Sequence, residues 1–184
     1  MRTTPPFRAD HVGSLLRPPA LLDARAKFAA GEIDAGQLCE VEDAAIADIV
    51  AMQAAAGLQS ATDGEFRRAS WHMDFIYQLG GVGKAPGNMA VKFRNAEGTI
   101  EWTPAALHIG SKIKLDHTIF AHAFGYLQSV VTDGPGGPVT PKLTIPSPNM
   151  VHYRGGPASI DHDVYPDMEE FWSDLSAAYA EEVR

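Results

Sequence analysis

The chain has 184 residues, 45% hydrophobic and 21% charged, with 15 Lys and Arg against 23 Asp and Glu for a formal net charge of −8. That length suits one domain with a sizeable core, and an acidic balance with no basic stripe argues against a nucleic-acid partner, because phosphate binding needs clustered Lys and Arg. No apolar run approaches the ~18 residues of a membrane span, residues 1–10 lack the apolar stretch of a signal peptide, and the lone Cys39 can form no internal disulfide, so the expectation is a cytoplasmic protein with no membrane partner.

Residues 7–12 read as a short strand ending at Gly13-Ser14, and Pro18-Pro19 then opens a helix over about 20–30 with Gly31 as its cap. Asp34, with Gln37 three residues on, is the pattern of a capping box. The helix it starts carries Leu38, Val41, Ala45, Ile49, Met52 and Ala56 along one face, with Glu40, Glu42, Asp43 and Asp48 expected in water and Gly57 as the end. Residues 58–62 read as a second strand that delivers Asp63-Gly64-Glu65. A helix is expected over 70–79, followed by the breaker Gly80-Gly81-Val82-Gly83.

Residues 89–114 change character, with strand-like stretches at 89–94, 99–102 and 107–113 separated by turn residues. They read as a small β insertion outside the main αβ alternation. A helix over 117–130, a Gly/Pro loop at 133–138 and a third strand at 142–145 follow, the last stopped by Pro146-Ser147-Pro148. After a second loop through Gly155-Gly156-Pro157, Pro166-Asp167 opens a final helix with Met168, Phe171, Trp172, Leu175, Tyr179 and Val183 on one face. The pattern continues to Val183 with no cap after it. The fold class is therefore α/β, with three strand–helix units. A closed (β/α)8 barrel needs eight units and ~250 residues, so the chain reads as the front part of such a barrel, or as one that oligomerises through the last helix's apolar face.

The strand ends concentrate the chemistry, as parallel α/β folds do. At Val12-Gly13-Ser14 the glycine permits close backbone approach and the serine offers a hydroxyl and an N–H, although local chemistry by itself slightly favours a plain strand-to-loop turn. His11 could act as a base, as a ligand contact or as a structural histidine. Asp63 and Glu65 flank a flexible glycine, a pair able to hold an amino group or to serve as acid and base, with Arg67 and Arg68 close enough to favour the charged forms. The alternative is a surface salt-bridge cluster. Metal binding has no support: His117 and His122 stand five apart, no His-Glu-x-x-His occurs and one Cys makes no Cys pair. No Gly-x-Ser-x-Gly elbow or nucleotide loop is present. The aromatic residues, Trp71 and Trp172 among them, are expected in the core.

Three motifs together, Phe7-Arg8-Ala9-Asp10-His11-Val12-Gly13-Ser14-Leu15-Leu16-Arg17-Pro18, Asp63-Gly64-Glu65-Phe66-Arg67-Arg68 and Leu143-Thr144-Ile145-Pro146-Ser147-Pro148, resemble the cobalamin-independent methionine synthase family, and most closely its single-barrel branch. The resemblance implies the front portion of a (β/α)8 TIM barrel, residues 1–184 forming part of a methyltransferase domain. It implies methyl transfer from methyltetrahydrofolate to the thiol of homocysteine, with zinc holding the thiolate. Val12, Gly13, Ser14 and Glu65 would bind the amino acid, and His152 and Tyr153 would lie on the donor side. The family's zinc ligands, a His-x-Cys and a later Cys, have no counterpart in this chain, so no metal residues are assigned and the missing barrel half or a second copy is an expected partner. Alkyl transfer to another thiol, such as coenzyme M, and a non-catalytic oligomerising remnant are the alternatives.

Overall fold

The computed structural model describes residues 11–86, 91–95, 98–102, 105–153 and 155–184. The chain divides into two compact units, Met1–Ala69 with Phe120–Thr144, and Ser70–Ile119 with Ile145–Arg184. Four residues of the expected first strand, 7–10, lie outside the described residues, and His11 and Val12 carry no strand.

The first unit is built around two helices and a short parallel ladder. Helix α1 (Pro19–Ala29) begins on a proline, whose missing N–H would have been unpaired there in any case. Gly31, at φ +75, lets the chain turn back and bond to the helix's last carbonyls. Helix α2 (Ala35–Ala55) starts at the expected capping box: Gln37 N–H donates to Asp34 Oδ1 at 2.9 Å, and the Gln37 side chain accepts from Asp34 N–H at 3.0 Å. Strand β1 (Ser60–Ala61) pairs in parallel with β6 (Thr140–Pro141), and α4 (Ala121–Val130) precedes β6. The core joins Leu21, Ile46, Val50, Phe66 and Leu127.

Two expectations for this unit are corrected. The buried stripe of α2 is Glu42, Ile46, Val50, Gln53 and Ala54, one step round from the apolar face read in the sequence, while Met52 is exposed. Glu42 is buried because Arg25 and Arg67 neutralise it, at 3.4 and 3.0 Å. The third strand lies at 140–141, not 142–145. Thr140 and Lys142 donate their N–H groups to Gln59 and Ala61 carbonyls at 2.9 and 2.8 Å. Because alternate residues face the neighbouring strand, the N–H that Pro141 lacks would have pointed away from β1.

The second unit holds two antiparallel strand pairs. Strand β2 (Gly80–Ala85) pairs with β5 (Ala106–Lys114), and β3 (Val91–Asn95) pairs with β4 (Gly98–Trp102). The β insertion is thus real but starts earlier than read: the glycine breaker is β2 itself, with a bulge between Gly80 and Val82. Gly81 sits there at φ +88, where a Cβ would stand 2.5 Å from the Ser111 carbonyl oxygen. Close backbone approach, not chain breaking, is what the glycine serves. Helix α3 is only Met73–Ile76, α4 starts four residues later than expected, and a short helix α5 (Asn149–Tyr153) was not foreseen.

Helix α6 (Met168–Glu182) is capped by Asp167, which accepts from Glu169 N–H at 3.0 Å. Its Phe171, Leu175 and Tyr179 are buried, and the helix packs on β5 of the same unit. The apolar face proposed as an oligomer surface is therefore covered within its own unit, although Val183 stays exposed and Trp172 half-buried. Trp71 is likewise 48% exposed rather than in the core. Among the described residues no helix is long and apolar enough to cross a membrane.

Tyr165 pins α6 to β5. Its hydroxyl accepts from Ile113 N–H at 2.6 Å and donates to Asp174 Oδ2 at 2.8 Å. Burial pushes the phenol up to about 12; the Ile113 N–H works against this and Asp174 adds to it. The folded state thus holds a proton that the unfolded chain releases near pH ~10. This contribution to stability is complete below that pH and is lost as pH rises towards about 12. Denaturant midpoints measured over this range should fall more steeply for the unaltered chain than for Tyr165→Phe; parallel curves would contradict the assignment.

Candidate functional site

The two motifs that stand some fifty residues apart in the sequence meet in the first unit. The Thr62 hydroxyl donates to the Gly13 carbonyl at 2.7 Å and accepts from Gly64 N–H at 3.2 Å. Leu15 N–H donates to the Gly64 carbonyl at 3.1 Å, and Arg17 Nη2 donates to the Glu65 carbonyl at 2.9 Å. Gly13, at φ +108, is required by this lacing, since a Cβ would lie 2.7 Å from Thr62 Cγ2.

Gln53 on α2 anchors the arrangement and was not singled out in the sequence. It is fully buried. Its Oε1 accepts from Thr62 N–H at 3.0 Å and its Nε2 donates to the Thr62 carbonyl at 2.9 Å, so one side-chain amide does for Thr62 what a neighbouring strand would do. His11 Nε2 lies 2.6 Å from the same Oε1, which makes that nitrogen the donor. The signal available was a glutamine at a position flanked by the apolar Val50 and Ala54 on the buried stripe.

Glu65 is the only described non-glycine residue with positive φ, at 58°. Such backbone costs about 1–3 kcal/mol and persists where the surroundings impose it. Here Asp63 Oδ1 accepts from Glu65 N–H at 2.9 Å while Arg17 holds the Glu65 carbonyl. Asp63, read as a catalytic candidate, thereby shapes the turn. The Glu65 side chain is 6% exposed; its Oε1 takes the Thr144 hydroxyl at 3.1 Å and Arg68 Nη1 at 3.6 Å. Arg68 lies over the Phe120 ring, 4.4 Å from its centroid. The two arginines do not act together as the sequence suggested. Arg67 turns to α2, where it pairs with Glu42 and Asp43 and stacks over Tyr126. Burial lowers the affinity of Arg67 for its proton, but its bonds to Asp43 and Cys39 more than reverse this, and its pKa is raised.

Ser14, Val12 and Leu16 are exposed, the last two at 81% and 94%. Arg17 and Arg25 both donate to the Arg68 carbonyl, at 2.6 and 3.2 Å, and Lys142 Nζ donates to the His11 carbonyl at 2.6 Å. His152 and Tyr153 belong to the second unit. There the half-buried His152 packs against the rings of Phe171 and Trp172, with centroids 6.3 and 5.3 Å away, while Tyr153 is 75% exposed.

The zinc implied by the resemblance does not fit the described residues. Among the described residues no group of three or more His, Cys, Asp or Glu could hold a metal ion. Cys39 Sγ lies 3.5 Å from the Arg67 guanidinium, where a fixed positive charge opposes a metal cation.

The first unit thus buries a carboxylate just past the end of a short parallel strand, within a mixed α/β fold. No family model matches the chain. The "Putative Vitamin-B12 Independent Methionine Synthase" of Listeria monocytogenes is 38% identical with a TM-score of 0.75, over 98% of this chain and 48% of that one. A B12-independent methionine synthase from Shewanella, solved with selenomethionine, shares the fold at 17% identity and a TM-score of 0.55, over 83% of this chain and 40% of that one. The uncharacterized Bacillus subtilis proteins YxjG and YxjH are 38% and 41% identical, over 100% and 97% of this chain and 46% and 44% of theirs. The chain thus resembles the cobalamin-independent methionine synthases, and it spans about half the length of the curated relatives it matches.

Replacing Gln53 by Leu would strand the Thr62 N–H and C=O in the interior. At roughly 1–3 kcal/mol for each buried group left unpaired, Gln53→Leu should cost about 2–6 kcal/mol in denaturant unfolding. A loss well under ~1 kcal/mol, no more than a typical hydrogen bond, would show that the clamp matters little.

Proposed function

We propose that the first unit carries an amino-acid-binding half-site of a cobalamin-independent methionine synthase-like protein. The supporting observation is Glu65, a buried carboxylate on left-handed backbone, laced to the Gly13-Ser14 loop. Backbone strain of this kind clusters at sites that clamp a ligand. In this reading Glu65 receives the ammonium of the amino acid, and Ser14 with the Gly13-Ser14 backbone receives its carboxylate. Val12 borders the ligand. Asp63, Thr62 and Gln53 hold these groups in place, and His11 is a member of the Gln53 cluster rather than a base.

The whole protein, in this reading, transfers a methyl group from methyltetrahydrofolate to the thiol of homocysteine. The family's metal activates the thiol when bound. The described residues of this chain do not fit that metal, so the part proposed for them is to bind and orient the amino acid. Tyr153 and His152 remain on the donor side of the proposal, with the exposed Tyr153 the freer of the two to meet a pterin. Nothing in the site favours a different thiol acceptor over homocysteine, whereas a carboxylate aimed at an ammonium favours an amino acid over coenzyme M.

Calorimetric titration of the chain with L-homocysteine and L-methionine tests this. Glu65→Gln should weaken binding by roughly 2–5 kcal/mol, as for a buried charge pair losing one partner. Unchanged affinity would remove Glu65 from the site.

A further inference from the structure

We infer that Thr144 is the positioning residue that orients Glu65, so that one carboxylate oxygen is held by the protein and the other is left for an ammonium. The inference rests on the amino-acid reading above and gives the third sequence motif a physical role. Both described contacts of the Glu65 carboxylate fall on Oε1: the Thr144 hydroxyl at 3.1 Å and Arg68 Nη1 at 3.6 Å. No described residue donates to Oε2. A carboxylate can accept about four hydrogen bonds, so Oε2 keeps its acceptor capacity for a cationic donor.

The two contacts on Oε1 differ in kind. Charge-assisted N–H···O bonds run at about 2.7–2.9 Å, so Arg68 at 3.6 Å supplies attraction without fixing the plane of the carboxylate. The Thr144 hydroxyl is within hydrogen-bond distance and is directional. Its placement follows from the ladder: Lys142 N–H bonds to the Ala61 carbonyl, which carries the chain alongside β1 until Thr144 lies level with the Asp63-Gly64-Glu65 turn. Thr144 is half-buried, and its hydroxyl has no other described partner. It therefore acts through Glu65 and not on a ligand directly.

The distinction shows in which ligands suffer when the hydroxyl is removed. The probes are L-methionine and 4-(methylthio)butanoate, which has the same skeleton without the amino group, titrated into the unaltered chain and into Thr144→Val, Thr144→Ser and Glu65→Gln. Loss of one hydrogen bond to a charged group should weaken L-methionine about tenfold in Thr144→Val. The des-amino acid should bind as before, and Thr144→Ser should restore L-methionine. Equal losses for both ligands, or none, would overturn the positioning role. If Glu65→Gln weakens L-methionine while Thr144→Val does not, only the present inference falls; if Glu65→Gln has no effect, the amino-acid reading falls with it. Crystal structures of the unaltered and Thr144→Val chains decide the point without any ligand. A Glu65 carboxylate that rotates or splits into two orientations supports the role, and one that keeps its place without the hydroxyl overturns it.

Discussion

The first unit depends on a single side-chain amide. Gln53 reaches from α2 to both the N–H and the carbonyl of Thr62, the residue that follows β1. Each backbone group left unpaired in the interior would cost about 1–3 kcal/mol. With Thr62 held, its hydroxyl is free to join the Gly13 carbonyl to the Gly64 N–H, and that one oxygen unites two motifs separated by half a hundred residues. The glycines on either side are then obligatory, because Cβ atoms would strike Thr62 at Gly13 and the Phe66 ring at Gly64.

Charge is arranged with the same economy. A protein of net charge −8 gathers four arginines, Arg17, Arg25, Arg67 and Arg68, around one turn. Arg17 and Arg25 hold main-chain carbonyls of residues 65–68, so they shape the backbone while keeping their charge near Glu65. Arg67 and Arg68, adjacent in sequence, diverge to opposite duties. Arg67 ties the turn to Glu42 and Asp43 of α2, and Arg68 faces Glu65. Buried charges of this kind add little net stability over apolar packing, but removing one partner is costly, which makes the cluster a device for fixed geometry.

The second unit is organised differently, around β5. Its Leu107, Ile109 and Ile113 are buried on one face by strand alternation, and α6, with Phe171, Leu175 and Tyr179 buried, packs on this strand. The edge-on contact of Tyr165 and Phe171 and the hydroxyl bonds of Tyr165 close this core. Tyr165 is thus a structural phenol, and its raised pKa reports burial rather than chemistry.

By itself the sequence determined what depends on local chemistry. The capping box at Asp34 and Gln37, the turn at Gly31, the cap at Asp167, the β character of 107–113 and the placing of both glycine motifs next to polar groups were legible, because each follows from residues a few positions apart. The resemblance carried by three motifs was legible for the same reason. Tertiary structure alone decided what depends on neighbours distant in the chain. Glu42 and Gln53 became interior because Arg25, Arg67 and Thr62 came to them, so the buried stripe of α2 is partly polar and escapes an apolar pattern. The Gly80–Gly83 run became a strand by pairing with the distant β5, where the Ser111 and Lys112 carbonyls leave room only for glycine at position 81. Thr144, silent as a residue type, acquired a partner only when β6 settled beside β1. Periodicity records which side of an element is apolar; which charges are neutralised, and which hydroxyl finds which carboxylate, is settled by three-dimensional proximity.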